Sequence, residues 1–497
     1  MSALLLGVDI GTSSSKGVLV RPDGKIIARS ERAHELSLPH PGWAEHDAES
    51  VWWADFTFLC AQLLPQADAP IAAVCVSGIG PCLLAADEHG DPLRPAILYG
   101  IDTRATREIE EQTERYGAER ILERCGSPLT SQAVGPKLAW LRRHEPEVWH
   151  KTRYFLMASS FIVQRLTGEY VLDHHSASQC DPLYDLKERR WIEEWAAEIA
   201  PGLALPRLLW PTEVAGTITS AAAETTGLPV GTPVAAGTID AWSEALSVGV
   251  CNAGDLMLMY GTTMFMVQVQ NAALVHPKLW STAGVLPNTY TLAAGMATSG
   301  ALTGWFRHMV GDLPYATLLQ EAAEIAAGAD GLVILPYFAG ERTPLFDPRA
   351  RGIICGLTLR HGRGHLYRAL LEATAYGVRH ILEVMHASGG TNQRLVAVGG
   401  GTKGGLWTQI VSDVTGLPQE LPNETIGACY GDALMAAIAV GLATPDAPWN
   451  PIATTVEPRS DTRAIYNTLY DVYRQLYPAT LTQVHQLADV QEDHHST

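Results

Sequence analysis

An aspartate followed by a turn of small residues stands near the start of the chain. In "LLLGVDIGTSSSKGVLV", residues 4–20, an apolar run stops at Asp9 and a Gly-Thr turn with three serines follows. Backbone N–H groups and hydroxyls of such a turn can be directed at a phosphate. The carboxylate cannot bind phosphate directly, since both are anionic, but it can hold Mg²⁺, usually through water, and the metal then bridges to the phosphates. The alternative is an ordinary hairpin in which Asp9 accepts hydrogen bonds from its own turn.

A second carboxylate stands where a strand gives way to a helix. In "PVAAGTIDAWSEALSVG" a strand of small residues ends at Gly237, and Asp240 stands at the expected start of the helix. An aspartate there could accept the proton of a substrate hydroxyl, and phosphoryl transfer needs little more from a protein beyond positioning and charge neutralisation. The alternative is that Asp240 only caps the helix, which is a common use of aspartate.

A run of glycines marks a third candidate site. In "LVAVGGGTKGGLWTQI", residues 395–410, a strand ends in three glycines before an expected helix. Glycines allow a nucleotide to lie close against the backbone. Neither the Walker spacing nor G-x-G-x-x-G is present, so neither a P-loop nor a dinucleotide fingerprint is indicated. A plain strand–helix turn remains the alternative.

Asp102 and Arg104 in "LYGIDTRATRE" have the paired polarity that binding of sugar hydroxyls requires. The alternative is a surface ion pair. Trp43 could stack on a sugar or pack in a core. The 17 histidines contain no H-x-x-x-H pair in a metal-site context, so no zinc site is predicted.

The elements that must position these residues form an α/β pattern. Apolar, strand-like runs alternate with helical stretches along the whole chain. "LGVDIGTSSSKGVLV" near residue 10 is similar to "LMLMYGTTMFMVQV" near residue 260, each being strand, Gly-Thr turn, hydroxyl residue and strand. The repeat predicts two related halves that face one ligand. We place the boundary near residue 249, giving domains 1–249 and 250–497.

The composition excludes several classes of protein. The chain has 497 residues, 47% of them hydrophobic and 18% charged, and a net charge of −18. Large cores are therefore expected, and general binding to nucleic acid or to an anionic membrane is not. No signal peptide or membrane span is recognisable, and the eight cysteines form no C-x-x-C pair. We expect a cytoplasmic protein with reduced, mostly buried thiols.

Taken together, these stretches resemble the FGGY carbohydrate kinases, and among them the xylulokinase-type pentulose kinases. The resemblance runs nearly from end to end. It is carried by "GVDIGTSSSK", "HPGWAEHDAESVW", "GPKLAWL", "QRLTGEYVLDHHSAS", "LPYFAGERTPLFDPRARGIICGLTLRHGRGHLYRALLEA", "VGGGTKGGLWTQIVSDVTG" and the helix after "GACYGDA".

The resemblance implies two ribonuclease-H-like domains of the actin and sugar-kinase superfamily, with the active site in the cleft between them. It implies that Asp9 is the metal-associated carboxylate of the first phosphate loop and that Asp240 is the catalytic base. It implies that the nucleotide is bound by Gly11, Thr12, Ser13, Gly261, Thr262, Gly300, Gly400, Gly401 and Lys403. It implies a sugar site formed by Gly80, Pro81, Asp102, Arg104 and Asp240.

Three departures from the xylulokinase pattern all fall at the sugar site. Xylulokinases usually carry a Met-His pair whose histidine touches the sugar, and Gly80 and Pro81 stand at those places. They also follow the base with asparagine, where this chain has Ala241. Finally, "YGIDTR" is one residue longer than the usual W-x-D-x-R form. The kinase assignment is unaffected by these departures, but a choice of D-xylulose is not supported by them.

The sequence thus predicts an ATP- and Mg²⁺-dependent kinase that phosphorylates a terminal hydroxyl of an open-chain sugar, a ketopentose in the first instance. Erythritol, ribulose, glycerol or gluconate are alternative substrates of the same kind of enzyme. Two other classes stay open: an actin- or chaperone-like ATPase switch, and an inactive sugar-binding regulator. Expected partners are a small sugar or polyol and ATP or ADP, with no nucleic acid and no membrane; a homodimer is left open.

Overall fold

The computed structural model describes the backbone of residues 3–495 and the side chains of residues 3–491. These residues form two compact units. Unit 1 comprises residues up to 253 together with 269–291 and 426–451, and unit 2 comprises 254–268, 292–425 and the residues from 452 onward. The domain division at residue 249 stays a prediction. Unit 1 also contains two segments from beyond that residue.

Unit 1 is built from a mixed set of short and long elements. Its strands are β1 (Leu4–Ile10), β2 (Ser14–Val20), β3 (Ile26–Ala33), β4 (Glu45–His46), β5 (Ile71–Gly78), β6 (Leu84–Ala86), β7 (Ala96–Ile97), β8 (Tyr154–Leu156), β9 (Val171–Asp173), β10 (Tyr184–Asp185), β11 (Arg190–Trp191), β12 (Arg207–Leu209), β13 (Val214–Thr217), β14 (Pro233–Ala235), β15 (Thr238–Ile239) and β18 (Trp280–Ala283). Its helices are α1 (Ala54–Leu63), α2 (Thr106–Tyr116), α3 (Ala118–Cys125), α4 (Val134–His144), α5 (Pro146–Lys151), α6 (Ala158–Thr167), α7 (His174–Ala177), α8 (Glu193–Ile199), α9 (Ser220–Thr226), α10 (Asp240–Ser247) and α15 (Ala428–Ala439).

The main sheet of unit 1 has the strand order β13-β14-β5-β1-β2-β3, and β15 also pairs with β5. β1 runs antiparallel to β2 and parallel to β5, and β5 runs parallel to β14 and β15. β1 is apolar along nearly its whole length because both faces of the strand are covered. The carboxyl ends of β1, β5 and β15 therefore meet at one edge of this sheet.

Helix α15 lies directly against β1, although more than 400 residues separate them in the chain. Gly7 makes this contact possible, because a Cβ there would lie 2.0 Å from the carbonyl oxygen of Cys429. A second glycine on α15, Gly431, brings the helix equally close to Ser243 of α10. The expected buried helix in "DALMAAIAVG" is thus present, and it belongs to the core of unit 1.

Unit 2 contains, wholly or for the greater part, the remaining elements. Its strands are β16 (Asp255–Tyr260), β17 (Met264–Gln270), β19 (Tyr290–Met296), β20 (Val333–Leu335), β21 (Ile353–Cys355), β22 (Arg394–Val398), β23 (Gln419–Pro422) and β24 (Ile452–Val456). Its helices are α11 (Gly300–Met309), α12 (Tyr315–Ala323), α13 (Arg363–Ala387), α14 (Leu406–Thr415) and α16 (Arg463–His495).

The sheet of unit 2 repeats the arrangement of unit 1. Its strands follow the order β19-β17-β16-β22-β23-β24, with β16 antiparallel to β17 and parallel to β22. The predicted second hairpin is present. In each Gly-Thr turn the glycine N–H donates within the turn: Gly261 to the carbonyl oxygen of Thr263, two residues on, at 3.1 Å, and Gly11 to that of Ser14, three residues on, at 3.2 Å. Each unit therefore places one Gly-Thr turn at the end of a central strand.

No helix within the described residues is both long enough and apolar enough to cross a membrane. All eight cysteines are free thiols; Cys355 is exposed, Cys251 is half-buried and the others are buried.

Candidate active site

The carboxyl ends of three strands, β1, β5 and β15, bring the sequence-predicted Asp9 and Asp240 to one edge of the unit 1 sheet. Asp9 of β1 lies opposite Ser77 of β5, and Ser77 in turn lies opposite Thr238 of β15. Asp240 is the residue directly after β15. In an open α/β sheet this edge is where ligands bind. The topology therefore places Asp9 and Asp240, which are distant in sequence, at the ends of two strands that both pair with β5.

Asp9 is a half-buried carboxylate without a full set of partners. Its Oδ1 atom is shielded from solvent and accepts no hydrogen bond within the described structure. Burial, and next the carboxylate of Asp240, raise the pKa of Asp9 well above its ordinary value, whereas Lys16, opposite it on β2, acts to lower it. A buried carboxylate oxygen without a hydrogen-bond partner is expected to bind a cation or a hydrogen-bond donor.

Asp240 is the first residue of α10, so the expected helix start is confirmed. The N-cap position belongs to Ile239, and the Oδ1 atom of Asp240 accepts from the N–H of Ala241 at 2.7 Å. Burial raises the pKa of Asp240 to about 6, while the Ala241 hydrogen bond acts to lower it. A carboxylate whose pKa lies this close to neutrality is suited to general-base work.

Two further acidic residues of this edge escaped sequence analysis. Glu244 follows Asp240 by one helical turn, and burial, with Asp240 next, raises its pKa to about 7. Asp432 reaches the same sheet from α15, where it accepts from Ser77 Oγ at 2.7 Å and from Ser243 Oγ at 2.8 Å. The i,i+4 spacing of Asp240 and Glu244 could have revealed Glu244. No local signal could have placed Asp432.

The residues of unit 1 fit a hydrated Mg²⁺ rather than a tightly ligated ion. Among the described residues there is no group of three His, Cys, Asp or Glu side chains set to ligate a metal directly. Mg²⁺ usually keeps several waters and takes one or two carboxylates together with substrate phosphates. The unpartnered Oδ1 of Asp9 suits that role.

The first Gly-Thr-Ser turn, residues 11–13, joins β1 to β2 and is tight at its first residue. A Cβ at Gly11 would lie 2.7 Å from the Ser14 carbonyl oxygen, so a side chain there would force the turn to shift. Thr12 is half-buried, with its hydroxyl 3.4 Å from that of Tyr99, and Ser13 is exposed.

Gly80 and Pro81 follow β5 at the same edge. A Cβ at Gly80 would lie 2.7 Å from Ile239 Cγ1, which is the residue just before Asp240. Pro81 is buried. These two residues thus lie beside the start of α10 and add no side-chain donor to it.

Asp102 and Arg104 form a buried ion pair, not the surface pair that was the alternative. Arg104 Nη2 lies 2.7 Å from Asp102 Oδ2, and its Nη1 lies 2.8 Å from Glu45. The guanidinium group stacks on Trp43 at 3.8 Å from the ring centre. Both carboxylate oxygens of Asp102 already accept hydrogen bonds, Oδ2 also from the N–H of Ala44. The ion pair therefore holds Trp43 and the neighbouring Ala44 in place. Few of its hydrogen-bonding positions are left for a ligand.

The sequence-predicted nucleotide residues of unit 2 line one cavity of about 590 Å³. The predicted members of its lining are Gly261, Thr262, Gly300, Gly400, Gly401 and Lys403. They come from three separate parts of the chain: the second Gly-Thr turn, the start of α11 and the glycine run after β22.

Two glycines in this lining stand where no side chain fits. A Cβ at Gly300 would lie 2.5 Å from the Gly261 carbonyl oxygen, and one at Gly401 would lie 2.8 Å from Trp407. A hydrogen bond from the Gly300 N–H to the Gly261 carbonyl oxygen, at 2.9 Å, stabilises the close approach of α11 to the turn. Backbone, rather than side chains, thus forms much of one wall.

The other wall of the cavity is aromatic and was missed from the sequence. It consists of Tyr260, Tyr315, Tyr367, Trp407 and Leu319. Flat aromatic and aliphatic surfaces of this kind suit an apolar, planar group such as a nucleobase. The residues come from β16, α12, α13 and α14, so no single stretch of sequence displays them as a set.

Two family models cover most of the chain. The N-terminal domain of the FGGY family of carbohydrate kinases matches residues 4–247, and its C-terminal domain matches residues 256–440. The chain belongs to this family, and it is a carbohydrate kinase with the two-domain α/β fold that the sequence predicted.

Individual relatives are similar along almost the whole chain. Xylulose kinase of Escherichia coli K12 is 29% identical over 493 residues, covering 96% of this chain and 99% of that protein. Glycerol kinase of Nocardia farcinica is 30% identical over 461 residues, covering 89% and 91%. The crystal structure of xylulose kinase from Rhodospirillum rubrum has a TM-score of 0.91 and 34% identity, and covers 97% of this chain and 100% of its own.

Proposed function

We propose that this carbohydrate kinase transfers the terminal phosphoryl group of ATP to a terminal hydroxyl of an open-chain sugar, with Asp240 as the general base. The observation that carries this proposal is the carboxyl edge of the unit 1 sheet, where Asp240 lies beside Asp9 with a pKa raised to about 6. A sugar hydroxyl is a weak nucleophile at neutral pH and needs a nearby acceptor as its proton becomes acidic.

In this proposal the two Gly-Thr turns bind phosphate oxygens through backbone N–H groups. Asp9 would hold Mg²⁺ through water, and the bound ion would neutralise charge on the phosphoryl group. Lys16 keeps the local charge of the acidic edge from becoming wholly negative. The protein's own task is to orient the acceptor hydroxyl toward Asp240 and to exclude water.

The cavity of unit 2 is the proposed nucleotide site. Its aromatic wall would hold the base, while the backbone of Gly400 and Gly401 and the side chain of Lys403 would approach the phosphates. A volume of about 590 Å³ is within the range of pockets that bind small organic ligands.

A ketopentose is the first candidate for the acceptor, since xylulose kinases recur among the relatives. Glycerol kinase and gluconokinase are also among them, at similar identity. Gly80, Pro81 and Ala241 offer no polar side chain at the places where xylulokinases carry histidine and asparagine. Because losing a hydrogen-bonding group relaxes or redirects the choice of substrate, the natural substrate stays a proposal.

A coupled assay of ADP release over pentuloses, tetritols, glycerol and aldonates tests the proposal directly. We expect turnover that depends on one of these sugars and on Mg²⁺. Strong ATP hydrolysis without any sugar would favour an ATPase switch, and no phosphorylated product from any sugar would favour an inactive regulator.

The eight free thiols support a reducing, cytoplasmic environment.

A further inference from the structure

One residue holds both ends of the first Gly-Thr-Ser turn, which we call the phosphate hairpin (residues 11–13). The ring of His34 places Nε2 3.1 Å from the carbonyl oxygen of Gly11, and its backbone N–H donates to the carbonyl oxygen of Ser13 at 3.0 Å. His34 directly follows β3, and only 7% of its side chain is exposed. Two of the three carbonyl groups of the hairpin are therefore bound on the His34 side.

The second nitrogen of the ring is bound to a buried carboxylate. His34 Nδ1 lies 2.7 Å from Asp55 Oδ2, on helix α1. The same oxygen accepts from Ser15 Oγ at 2.7 Å, and Arg32 lies 3.2 Å from Oδ1. Asp55 is therefore in contact with Ser15 and Arg32 as well as with His34.

His34 thus lies between two groups that can only accept. A carboxylate and a carbonyl oxygen have no proton to donate, so both hydrogen bonds are made only if both ring nitrogens carry protons. The two ring nitrogens of His34 thereby bridge Asp55 on α1 and Gly11 in the hairpin.

A second histidine packs behind the same turn. The ring of His46 lies 5.1 Å from that of His34, edge to face, and its Nδ1 accepts from Trp52 Nε1 at 3.1 Å. Burial, and next the neighbouring His34, lower the pKa of His46 to about 4, while the backbone of Thr12 acts to raise it. A neutral ring whose Nδ1 is an acceptor carries its proton on Nε2. His46 is consequently a neutral ring packed against His34.

The direction of the carbonyl groups decides what the hairpin can bind. A carbonyl oxygen turned toward a phosphate repels it, whereas an N–H group attracts it. His34 binds the carbonyl oxygens of Gly11 and Ser13 on one side of the hairpin. The opposite side of the hairpin therefore presents N–H groups. In the described part of the chain the N–H groups of Thr12 and Ser13 donate no hydrogen bond to the protein.

We propose that His34, bound to Asp55, is a positioning residue that orients the phosphate hairpin toward the phosphoryl group being transferred. This inference rests on the proposed kinase function. The hairpin belongs to the same unit as Asp240 and follows Asp9 after one residue, so we expect it to bind the phosphate nearest the acceptor. Loss of the link should therefore weaken the binding of a triphosphate more than that of a diphosphate.

His34→Leu tests the inference, since leucine approximates the size of imidazole but makes neither hydrogen bond. We expect the KM for ATP and the Kd for a non-hydrolysable ATP analogue to rise about tenfold, which is typical when a buried hydrogen-bond acceptor loses its donor. The Kd for ADP and the KM for sugar should change by less than about twofold. His34→Gln restores a donor that can reach Gly11 and should recover part of the loss.

Ser15→Ala is the matched control, because it removes one donor from Asp55 but leaves the contact between His34 and Gly11 in place. It should leave the KM for ATP within about twofold of the parent value. If Ser15→Ala and His34→Leu raise that KM alike, or if His34→Leu raises the KM for sugar as much as that for ATP, His34 is merely structural and the proposal is wrong.

Asp55→Asn keeps the test decisive if His34→Leu fails to fold. It replaces the carboxyl group that binds His34 Nδ1, and we expect the analogue to bind more weakly, in the same direction as in His34→Leu but by less. Unchanged analogue affinity in a folded His34→Leu or Asp55→Asn protein would overturn the proposal. Failure of the proposed function is a separate result: the parent protein would show no sugar-dependent turnover, whatever the variants do.

Discussion

At the scale of single residues, Asp240 carries the chemistry, and Asp240→Asn is the most direct test of it. Asparagine keeps the size of the side chain and can still accept from the Ala241 N–H. It cannot take up the proton of the sugar, so we expect kcat to fall by at least about a hundredfold. Nucleotide binding, measured by calorimetry, should be unchanged. A well-folded variant with the parent kcat would remove Asp240 from the mechanism.

The raised pKa of Asp240 makes a further prediction about pH. The base acts as the carboxylate, which is present above a pKa of about 6 and lost below it, so the kcat of the parent protein should fall as the pH drops through 6. In the folded protein this proton is held more tightly than in the unfolded chain, so ionising Asp240 reduces stability as the pH rises from about 4 to about 6. Asp240→Asn should therefore have a higher Tm than the parent at pH 8 and a similar one at pH 4. A lower Tm at pH 8 would contradict this account.

Asp9 is expected to act on the metal and not on the sugar. Asp9→Ala removes the unpartnered Oδ1 that we assign to a hydrated Mg²⁺. Residues that hold a metal through an outer shell typically contribute 10–100-fold, and kcat should fall by about that factor. A Mg²⁺ titration should show a higher half-saturating concentration, while the KM for sugar stays nearly constant. Undiminished turnover would return Asp9 to the interpretation of an ordinary hairpin.

At the scale of elements, the start of α11 is fitted against the second Gly-Thr turn. Gly300→Ala would place a Cβ 2.5 Å from the Gly261 carbonyl oxygen, so helix and turn must move apart. A displacement of about 1 Å in a positioning element can cost 10²-fold, and we expect kcat/KM for ATP to fall at least tenfold.

Gly304 on the same helix offers the control. A Cβ there meets only the Tyr315 hydroxyl, at 3.6 Å, which is ordinary contact. Gly304→Ala should keep the parent kinetics and stabilise the helix by about 0.5–1 kcal/mol, since glycine is unfavourable inside a helix. Equal kinetic losses in the two variants would show that the close approach at Gly300 has no special role.

At the scale of the whole molecule, the proposed base and the proposed nucleotide cavity belong to different units. Transfer of a phosphoryl group requires both ligands at once, with water excluded so that the phosphoryl group does not pass to solvent. We expect small-angle scattering to report a smaller radius of gyration when sugar and a non-hydrolysable ATP analogue are both present than with either alone. Identical scattering curves for the protein alone, with sugar, with the analogue and with both would speak against ligand-induced closure.

Much of this protein follows from its sequence because the signals are local. The apolar run ending at Asp9, the two Gly-Thr turns, the helix that starts at Asp240 and the glycines after β22 each lie within one short stretch, and each appears in the structure as expected. A strand or helix boundary is set by the few residues around it, and the family resemblance extends that local information to the fold.

The tertiary structure alone decided which distant residues meet. Asp432 reaches the edge of the unit 1 sheet because Gly7 lets α15 lie against β1. Asp102 and Arg104 are withdrawn from solvent by Glu45 and Trp43, and His34 meets Asp55 across β3 and α1. The physical reason is that such contacts depend on how whole elements pack, and packing is set by shape and burial summed over many residues, which no single stretch of sequence displays.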